Sequence, residues 1–399
     1  MKIVVVHNEY RTPGGEDVVV AQEVALLQKH GHEVLEYRRS NRELDELRFR
    51  DKLSLPKRVI WAGSEIGPLE QLLRQTRPDL VHVHNTFMMI SPRVHHLCKA
   101  FGLPVVQTLH NYRLLCPRAD FFRFDRVCEE CLGKSLPWPA IAYGCYRRSR
   151  AQSGVVAALL ATHRWLGTWA RNVDLFIAPT EFARQKFIQG GLPEEKLVVK
   201  PNFLMPDPGE SPGDGKYAIF VGRFSPEKGV DTLLDAWGMT PGIELKMVGG
   251  NGLAAIAGRA RRNQGALSGV ERVGWRSRAE VLELIKGALF LVFPSEWFET
   301  FGLVIIEAFA SGIPVVASRL GCMMEIVKEG ETGLLFSPGD AIDLAAKVRW
   351  AMDHPGKLRS MGKNARQEFE RKYTEGQNYD ELMAIYDRAM EENSRARYA

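Results

Sequence analysis

The sequence predicts an α/β protein with two doubly wound, Rossmann-like domains that face each other across a cleft. Six strand-like apolar runs lie in each half of the chain, and amphipathic helical segments separate several of them. Strands that alternate with helices form parallel sheets through right-handed crossovers. The chain has 399 residues, which exceeds what a single core usually supports. A Pro/Gly-rich stretch at 203–215 can continue neither a helix nor a central strand, so it is the expected linker.

The predicted elements follow in chain order. In the first half the strands are KIVVVHN, HEVLEYRR, DLVHVHN, PVVQTLHN, DLFIAPT and LVVKPN, and in the second half YAIFVGR, ELKMVGG, VERVGW, LFLVFPS, PVVAS and GLLF. The helical patterns include 16–31, which ends at a glycine, and 65–74. We therefore expect an N-terminal domain over 1–202, a C-terminal domain over 216–373, and a last helical segment over 374–399.

Composition and charge limit the class of protein. The hydrophobic content of 45% and charged content of 25% are those of a soluble globular protein. The net charge of +5 permits an anionic partner such as a sugar nucleotide or an acidic lipid surface, and it does not indicate nucleic acid. The chain has neither an apolar run of about 18 residues nor a leader with a cleavage site. We therefore expect a cytoplasmic protein whose membrane contact, if any, is peripheral at the inner face.

The most informative segment is PSEWFETFGLVIIEAFASGIPVVAS, from Pro294 to Ser318. Glu299 follows an apolar strand, and Glu307 lies on the next helix, which ends at Gly312. Ligands of open α/β sheets bind outside the carboxyl ends of the strands. Because ionised carboxylates accept hydroxyl donors, the pair predicts a polyhydroxylated ligand. The alternative is two glutamates on the solvated surface.

Two further segments suggest contacts with phosphate. Arg223 and Lys228 flank a short loop before a helix, and two cations near a helix N-terminus form an anion site that suits a diphosphate. The alternative is a pair of surface cations without a ligand. Gly249 ends the next strand and would let the backbone approach a ligand closely. Gly14 and Gly15 follow the first strand without the G-x-G-x-x-G fingerprint, so a plain βα turn is the alternative there.

Together these segments resemble the retaining glycosyltransferases of family 4, which have the GT-B fold. The resemblance rests on the E-x7-E spacing of Glu299 and Glu307 and on G-R-x-x-x-x-K-G at 222–229, and it covers nearly the whole chain. It implies transfer of a sugar, with retention of configuration, from a nucleotide-diphosphate sugar to a hydroxyl of a glycan, lipid-linked or small-molecule acceptor. Polysaccharide or glycoconjugate biosynthesis is the implied setting, without a catalytic metal or organic cofactor. The last helix would cross back to an acceptor-binding N-terminal domain.

The resemblance also implies roles for individual residues. Arg223 and Lys228 would neutralise the leaving diphosphate, Glu299 would hold hydroxyls of the donor sugar, and Glu307 would bind the ribose. His110, which ends the predicted strand PVVQTLH, would contact the donor sugar near the reacting carbon, and a purely structural histidine is the alternative. The implied catalytic set is His110, Glu299, Arg223 and Lys228. The other implied donor-binding residues are Gly14, Gly15, Gly249, Thr300, Phe301, Gly302 and Leu303.

One departure from the family pattern puts a detail of the donor site in doubt. In the segment GCMME, Cys322 replaces the second glycine of the commoner G-G-x-x-E, so close backbone approach to the donor is not assured there. Rival functions are a nucleotide-sugar epimerase of the same fold, which needs no acceptor, and a non-catalytic carbohydrate-binding protein. A phosphorylase would need a lysine that binds pyridoxal, and the sequence has no signal for one.

A cysteine-rich insert spans 113–150. It contains a C-x11-C-x2-C-x13-C pattern formed by Cys116, Cys128, Cys131 and Cys145. Four thiolates with a C-x2-C turn predict a tetrahedral structural zinc site, which would order a segment that lacks its own core. The alternatives are reduced thiols and an iron–sulfur cluster. By contrast, His82 and His84 are predicted to be buried packing residues and not metal ligands.

Two regions suggest contact with an anionic membrane that holds a lipid-linked acceptor. The stretch 37–58 is rich in Arg and Lys, and the helix-like stretch 147–171 has Trp165 and Trp169 four positions apart. The alternative is a solvated basic face beside an apolar helix face that packs in the core.

Overall fold

The structure, a computed structural model, describes residues 1–12, 14–250 and 269–398. The chain divides into two compact units. The first unit comprises Met1–Phe121, Glu129–Pro201 and the chain from Asn378 onward. The second comprises Phe122–Cys128 and Asn202–Gln377.

Eight strands and nine α-helices are described up to Pro201. The strands are β1 (Lys2–Glu9), β2 (Glu33–Ser40), β3 (Leu80–Asn85), β4 (Val105–Thr108), β5 (Phe122–Arg123), β6 (Arg126–Val127), β7 (Leu175–Ala178) and β8 (Leu197–Val199). The helices are α1 (Gly15–Lys29), α2 (Glu43–Glu46), α3 (Phe49–Ile60), α4 (Gly67–Thr76), α5 (Arg93–Ala100), α6 (Trp138–Tyr143), α7 (Arg150–Trp165), α8 (Thr168–Asn172) and α9 (Glu181–Gln189). Short 3₁₀ turns occur at Ser64–Ile66 and Glu194–Lys196.

The described part of the chain beyond Pro201 continues the same numbering. Its strands are β9 (Tyr217–Val221), β10 (Leu245–Val248), β11 (Val270–Gly274), β12 (Ala288–Phe293), β13 (Val315–Ser318) and β14 (Gly333–Phe336). Its helices are α10 (Val230–Trp237), α11 (Arg278–Lys286), α12 (Leu303–Ala310), α13 (Met323–Ile326), α14 (Ala341–Asp353), α15 (Pro355–Lys372) and α16 (Glu375–Tyr398). A 3₁₀ turn at Pro226–Lys228 precedes α10.

The sheet of the first unit is parallel, with the strand order β2-β1-β3-β4-β7-β8. Apolar runs such as IVVV in β1 are buried, as expected for strands that are covered on both faces. Strands β1 and β3 pair directly, so the strand order reverses there and leaves a crevice at their carboxyl ends. One core cluster joins the sheet to α1 and α16, and it comprises Ile3, Val5, Val20, Val24, Leu27, Leu80, Val106, Leu175, Ile177, Leu382, Ile385, Tyr386 and Ala389.

The sheet of the second unit is also parallel, with the order β11-β10-β9-β12-β13-β14. Helices α10, α14 and α15 contribute to its core, in which Trp237 is among the largest fully buried side chains. The strand order reverses between β9 and β12, which pair directly although two strands separate them in sequence. The loops that follow β9 and β12 therefore meet at one switch point, where ligands of such sheets bind.

These observations confirm the predicted fold class of two Rossmann-like parallel sheets. All twelve predicted strands form, although several are shorter than predicted. Strand β4 ends at Thr108, so His110 lies in the loop beyond it. The antiparallel hairpin of β5 and β6 was not predicted, because its strands are only two residues long.

The prediction of one helix over 147–171 is wrong, because this stretch forms two helices. Helix α7 ends at Trp165 and α8 begins at Thr168, because Gly167 between them adopts a left-handed conformation with φ of 65°. As a result, the side chain of Trp165 is 84% exposed, whereas that of Trp169 is only 4% exposed. The two tryptophans therefore do not form one apolar face, and peripheral membrane contact stays a prediction. None of the described helices is long and apolar enough to span a membrane.

Candidate functional site

The loops that follow β9 and β12 meet through a glycine contact in the second unit. Gly229, with φ of 65°, lies between the 3₁₀ turn and α10. A Cβ atom at this position would lie 1.8 Å from the carbonyl oxygen of Pro294, so no larger residue fits without a shift of the backbone. This contact explains how Lys228, directly before the glycine, reaches the loop that holds Glu299.

Glu299 is buried, and one of its carboxylate oxygens accepts three hydrogen bonds. The donors to Oε1 are Lys228 Nζ at 2.6 Å, Ser295 Oγ at 2.7 Å and Trp297 Nε1 at 2.8 Å. The ammonium of Lys228 also lies 5.3 Å from the centroid of the Trp297 ring. The ammonium balances the carboxylate charge, and the two neutral donors fix the orientation of the carboxylate. The site thus has a cation and a positioned acceptor side by side.

The two predicted phosphate-binding cations have different environments. The side chain of Lys228 is 18% exposed, whereas that of Arg223 is 60% exposed. Arg223 Nη2 lies 3.3 Å from Oε1 of Glu227, whose side chain is buried, whereas the guanidinium group itself is exposed. The exposed guanidinium of Arg223 is accessible to an anionic ligand, while Lys228 is already held at the switch point by its contact with Glu299.

Glu307 lies on α12, buried, and faces the first residue of α11. Its Oε1 is 3.5 Å from Nη2 of Arg278, and this nitrogen is buried without a hydrogen-bond partner among the described residues. Burial raises the pKa of Glu307 to about 7, although the nearby guanidinium opposes the shift. A ligand with hydroxyl groups would supply donors to this carboxylate. Sequence reasoning missed Arg278, because no local pattern links it to a residue so far along the chain.

The predicted glycines differ in what their surroundings require. A Cβ atom on Gly249, where φ is 146°, would lie 1.9 Å from the carbonyl oxygen of Gly222. Contact between the loops after β9 and β10 therefore explains this glycine without a ligand. A Cβ atom on Gly14 would have nothing within 4 Å, so protein packing does not explain that glycine. Gly15, the first residue of α1, is exposed.

The segment between Glu299 and α12 supplies backbone groups at a helix N-terminus. It contains Thr300, Phe301 and Gly302, the N-cap of α12, and it leads into Leu303, the first residue of the helix. The first N–H groups of a helix lack intrahelical acceptors, so this end of α12 favours an anionic or oxygen-rich ligand. Cys322 is fully buried, and its Sγ donates to the carbonyl of Phe301 at 3.4 Å. The atoms that Cys322 adds relative to glycine are therefore accommodated in the interior.

In the first unit, His110 is half-buried and contacts another histidine. Its Nε2 lies 2.9 Å from Nδ1 of His84, and the two rings stack with centroids 5.1 Å apart. Burial lowers the pKa of His110 to about 3, so its imidazole is neutral at physiological pH. A neutral imidazole is an acceptor at one nitrogen and a donor at the other, which suits contact with hydroxyl groups.

A second polar cluster lies near His110 in sequence and surrounds Glu16 at the start of α1. Tyr10 Oη donates to Glu16 Oε2 at 3.1 Å, and Asn111 Nδ2 donates to the same oxygen at 3.1 Å. Burial raises the pKa of Glu16 to about 7. Asn111 is 95 residues from Glu16 in sequence, and the fold brings the two side chains together.

Two glycosyltransferase family models match the chain. The family model described as Glycosyl transferases group 1 matches residues 204–368, and the model described as Glycosyltransferase Family 4 matches residues 13–207. The two matches together cover both units and adjoin near the boundary between them. The chain belongs to the group 1, family 4 glycosyltransferases.

Relatives of this family 4 glycosyltransferase match parts of the chain. An uncharacterized glycosyltransferase of Methanocaldococcus jannaschii is 35% identical over 41% of this chain and 45% of its own length. Sulfoquinovosyl transferase of Arabidopsis thaliana is 26% identical over 74% of this chain and 54% of its own length. The chain thus spans about half the length of these relatives.

Solved structures show that this family 4 glycosyltransferase has the GT-B fold. Sucrose-phosphate synthase of Thermosynechococcus elongatus matches with a TM-score of 0.72 at 21% identity, over 97% of this chain and 98% of its own. HepE of Anabaena, solved in complex with UDP, matches with a TM-score of 0.68 at 19% identity, over 97% of this chain and 100% of its own. At these identities the likeness establishes the fold alone.

The four insert cysteines of this family 4 glycosyltransferase divide between the two units, with Cys128 in the second and the other three in the first. Cys116 and Cys131 are buried, and Cys128 and Cys145 are partly exposed. In the described part of the chain, one group of three or more ligand-type side chains has its ligand atoms within 4.8 Å of one another, and that group is Glu23, His82 and His84. Zinc binding by the four cysteines stays a prediction.

The Glu23 group is better described as a hydrogen-bonded network than as a metal site. His82 uses both ring nitrogens, Nδ1 with Tyr386 Oη at 2.7 Å and Nε2 with Thr108 Oγ1 at 2.8 Å. Lys200 Nζ donates to Glu23 Oε1 at 2.8 Å, so an ammonium already neutralises the carboxylate. His82 and His84 are buried, as predicted from their strand.

Proposed function

We propose that the protein transfers a sugar from a nucleotide-diphosphate sugar to a hydroxyl group of an acceptor, with retention of the anomeric configuration. The main support is the switch point of the second unit, where Lys228 contacts Glu299 at 2.6 Å and Glu307 lies on the helix that follows. A cation, a positioned acceptor for hydroxyls and a second buried carboxylate match the three parts of such a donor, namely its diphosphate, its sugar and its ribose.

In this proposal the side chains divide the work of binding and of charge stabilisation. Glu299 accepts hydroxyl hydrogens of the sugar, Glu307 accepts those of the ribose, and the N-terminus of α12 adds backbone donors. Lys228 and Arg223 stabilise the diphosphate as the bond between the anomeric carbon and the phosphate oxygen breaks. His110 contacts the transferred sugar, as the family resemblance implies. Nothing in this scheme requires a bound catalytic metal.

The chemical step is a front-face displacement. The acceptor hydroxyl forms a new bond to the anomeric carbon on the face from which the diphosphate departs, and its proton passes to the departing phosphate oxygen. The nucleoside diphosphate leaves with the bonding electron pair. The protein mainly positions the two substrates and stabilises the developing charge, which are the largest contributions available to such a reaction.

A UDP-sugar is the first donor to test, because HepE was solved with UDP and with UDP-glucose. Donors with other bases belong in the same panel. Thermal unfolding should be measured with UDP-, GDP- and ADP-sugars, since a ligand of the folded state raises the unfolding temperature, and the shift grows with the logarithm of the ligand concentration relative to Kd. The proposal predicts a shift with one class of donor, and Glu307→Gln should reduce it.

The panel needs a matched control and a defined failure. Glu331→Gln changes an exposed glutamate elsewhere in the second unit and should keep the full shift. A shift without any turnover on addition of acceptor would instead support a carbohydrate-binding protein. Conversion of the donor sugar to its epimer without an acceptor would support the epimerase. No shift with any nucleotide sugar would refute the donor site.

A further inference from the structure

A buried chain of polar side chains leads to His110 within the first unit. Lys200, directly after β8, donates to Glu23 Oε1 on α1 at 2.8 Å. The other oxygen of Glu23, Oε2, lies 3.6 Å from Nε2 of His84 on β3. His84 Nδ1 then lies 2.9 Å from His110 Nε2. The four side chains come from four segments that are distant in sequence, so the fold and not local sequence brings them together.

The contact between Glu23 and His84 determines which nitrogen of His84 holds a proton. Glu23 Oε2 and His84 Nε2 are both buried, and neither has another hydrogen-bond partner among the described residues. At 3.6 Å the two atoms are slightly beyond hydrogen-bond distance, and a water molecule does not fit in line between them. A carboxylate oxygen offers only lone pairs. Two facing lone pairs would repel each other, so the proton of His84 lies on Nε2.

That proton position fixes the next one along the chain. Burial lowers the pKa of His84 well below its usual value, so its ring holds a single proton. The pKa of Glu23 is lowered, because attraction to Lys200 outweighs the effect of burial, so its carboxylate is ionised. With its proton on Nε2, His84 presents a lone pair at Nδ1. The neighbouring His110 Nε2, 2.9 Å away, must therefore be the donor.

The two neighbouring histidines have other hydrogen-bond partners. The ring of His82 lies 4.1 Å from that of His84, and its partners are the hydroxyls of Tyr386 and Thr108. Hydroxyl groups rotate and can donate or accept, so they adapt to either tautomer. His7, whose ring centroid is 6.3 Å from that of His84, is paired with Asp17 instead. Among these neighbours, the Glu23 carboxylate is the group that can set the direction of the chain.

We propose that Glu23 and His84 are positioning residues that hold His110 as the tautomer with its proton on Nε2. Nδ1 of His110 then has a lone pair and no proton, so it can only accept a hydrogen bond. Under the proposed function, on which this step rests, His110 accepts a hydroxyl hydrogen of the transferred sugar. It cannot donate a proton through Nδ1 to the departing phosphate oxygen, so it does not act as a general acid there.

The tautomer can be measured directly in the unmodified protein. Two-bond ¹H–¹⁵N spectra of histidine-labelled protein distinguish a proton on Nδ1 from one on Nε2, and His84→Gln and His110→Gln assign the two signals. The proposal predicts that both histidines have the proton on Nε2 at neutral pH. A proton on Nδ1 of His110, or a doubly protonated ring, would overturn it. This test needs neither a donor nor an acceptor.

Glu23→Gln should reverse the direction of the hydrogen bond between His84 and His110. Lys200 still donates to an oxygen of the new side chain, namely the amide oxygen. The amide N–H groups therefore face His84 Nε2, which must now accept a hydrogen bond. His84 then donates from Nδ1, and the proton of His110 moves to Nδ1. Asp17→Asn on the same helix makes the same chemical change beside His7 and should leave both signals unchanged. An unchanged His110 signal in folded Glu23→Gln would refute the role of Glu23. If that variant does not fold, the measurement on the unmodified protein decides.

A kinetic measurement separates this proposal from the proposed function. With a donor that turns over, Glu23→Gln should lower kcat/KM by about tenfold, the usual worth of one hydrogen bond. With a donor that lacks the hydroxyl contacted by His110, Glu23→Gln and the unmodified protein should have the same kcat/KM. If no nucleotide sugar turns over, the proposed function fails while the tautomer result stands. If turnover is normal and His110 has its proton on Nδ1, the positioning role fails alone.

Discussion

Replacing Glu299 by alanine removes the acceptor at which Lys228, Ser295 and Trp297 converge. In the proposed complex it also removes hydrogen bonds to one or two hydroxyls of the donor sugar. A hydrogen bond to a charged group contributes about 1.5–3 kcal/mol. Two such bonds that strengthen in the transition state correspond to about 3 kcal/mol or more. Because about 1.4 kcal/mol changes a rate tenfold, turnover should fall by about 10²-fold or more.

The alanine variant also costs stability, which must be separated from catalysis. Ser295 is buried, and without Glu299 its hydroxyl loses its acceptor, at a cost of about 1–3 kcal/mol. Glu299→Gln keeps an oxygen for the three donors, so its free energy of unfolding should stay closer to that of the unmodified protein. Its turnover should still fall, because a neutral amide accepts hydroxyl hydrogens more weakly than a carboxylate does.

Release of nucleoside diphosphate measures the effect of both variants, with thermal unfolding recorded on the same samples. Glu296→Gln is the matched control, because it lies three positions away on the same loop and is bonded to Thr232 instead. The control should retain turnover within a few-fold of that of the unmodified protein. Unmodified turnover in a folded Glu299→Ala variant would refute the assignment of this site.

The remaining predictions concern the diphosphate, the ribose and the insert. Arg223→Ala and Lys228→Ala should each weaken nucleoside-diphosphate binding in calorimetry, and the loss for the exposed Arg223 should shrink at high salt; unchanged affinity would contradict the phosphate site. The pKa of Glu307 is about 7 and its ionised form accepts hydroxyl hydrogens, so nucleotide affinity should rise as the pH increases through that value. Glu307→Gln should remove most of this rise. The same dependence of affinity on pH in the variant and in the unmodified protein would contradict the role of Glu307 in binding the ribose. If the insert cysteines bind zinc, mass spectrometry should find about one metal per chain. A Cys128→Ser, Cys131→Ser double variant should lose this metal and transfer less sugar to the acceptor, while both sheets stay folded. An unmodified protein without metal would refute the site.

The parts of the fold that the sequence could predict depend on local patterns. Strand and helix periodicity identified all twelve strands of the two sheets, and a glycine correctly marked the end of α12. The spacing of Glu299 and Glu307 placed one on a loop and the other on a helix, as the structure has them. The rule that ligands bind at the carboxyl ends of parallel strands then brought Lys228 to the same edge.

What the sequence could not predict depends on contacts between distant segments. Trp297 and Ser295 orient Glu299 through side-chain geometry that no spacing encodes, and Arg278 reaches Glu307 from a different helix. The break between Trp165 and Trp169 arises from one left-handed glycine, which helical periodicity does not reveal. The spacing of the insert cysteines suggests a metal, but the positions of the thiols depend on the path of a segment with little regular structure.

The most direct test of the central claim is the fate of a nucleotide sugar in the presence of an acceptor. Each donor of the panel should be incubated with the protein, with and without a glycan- and lipid-containing cell extract, and the products followed by ¹H NMR. We predict nucleoside-diphosphate release that depends on the extract, together with a new glycoside whose anomeric proton has the configuration of the donor. An inverted glycoside would contradict retention, and donors that stay intact, or change only to an epimer, would contradict transfer itself.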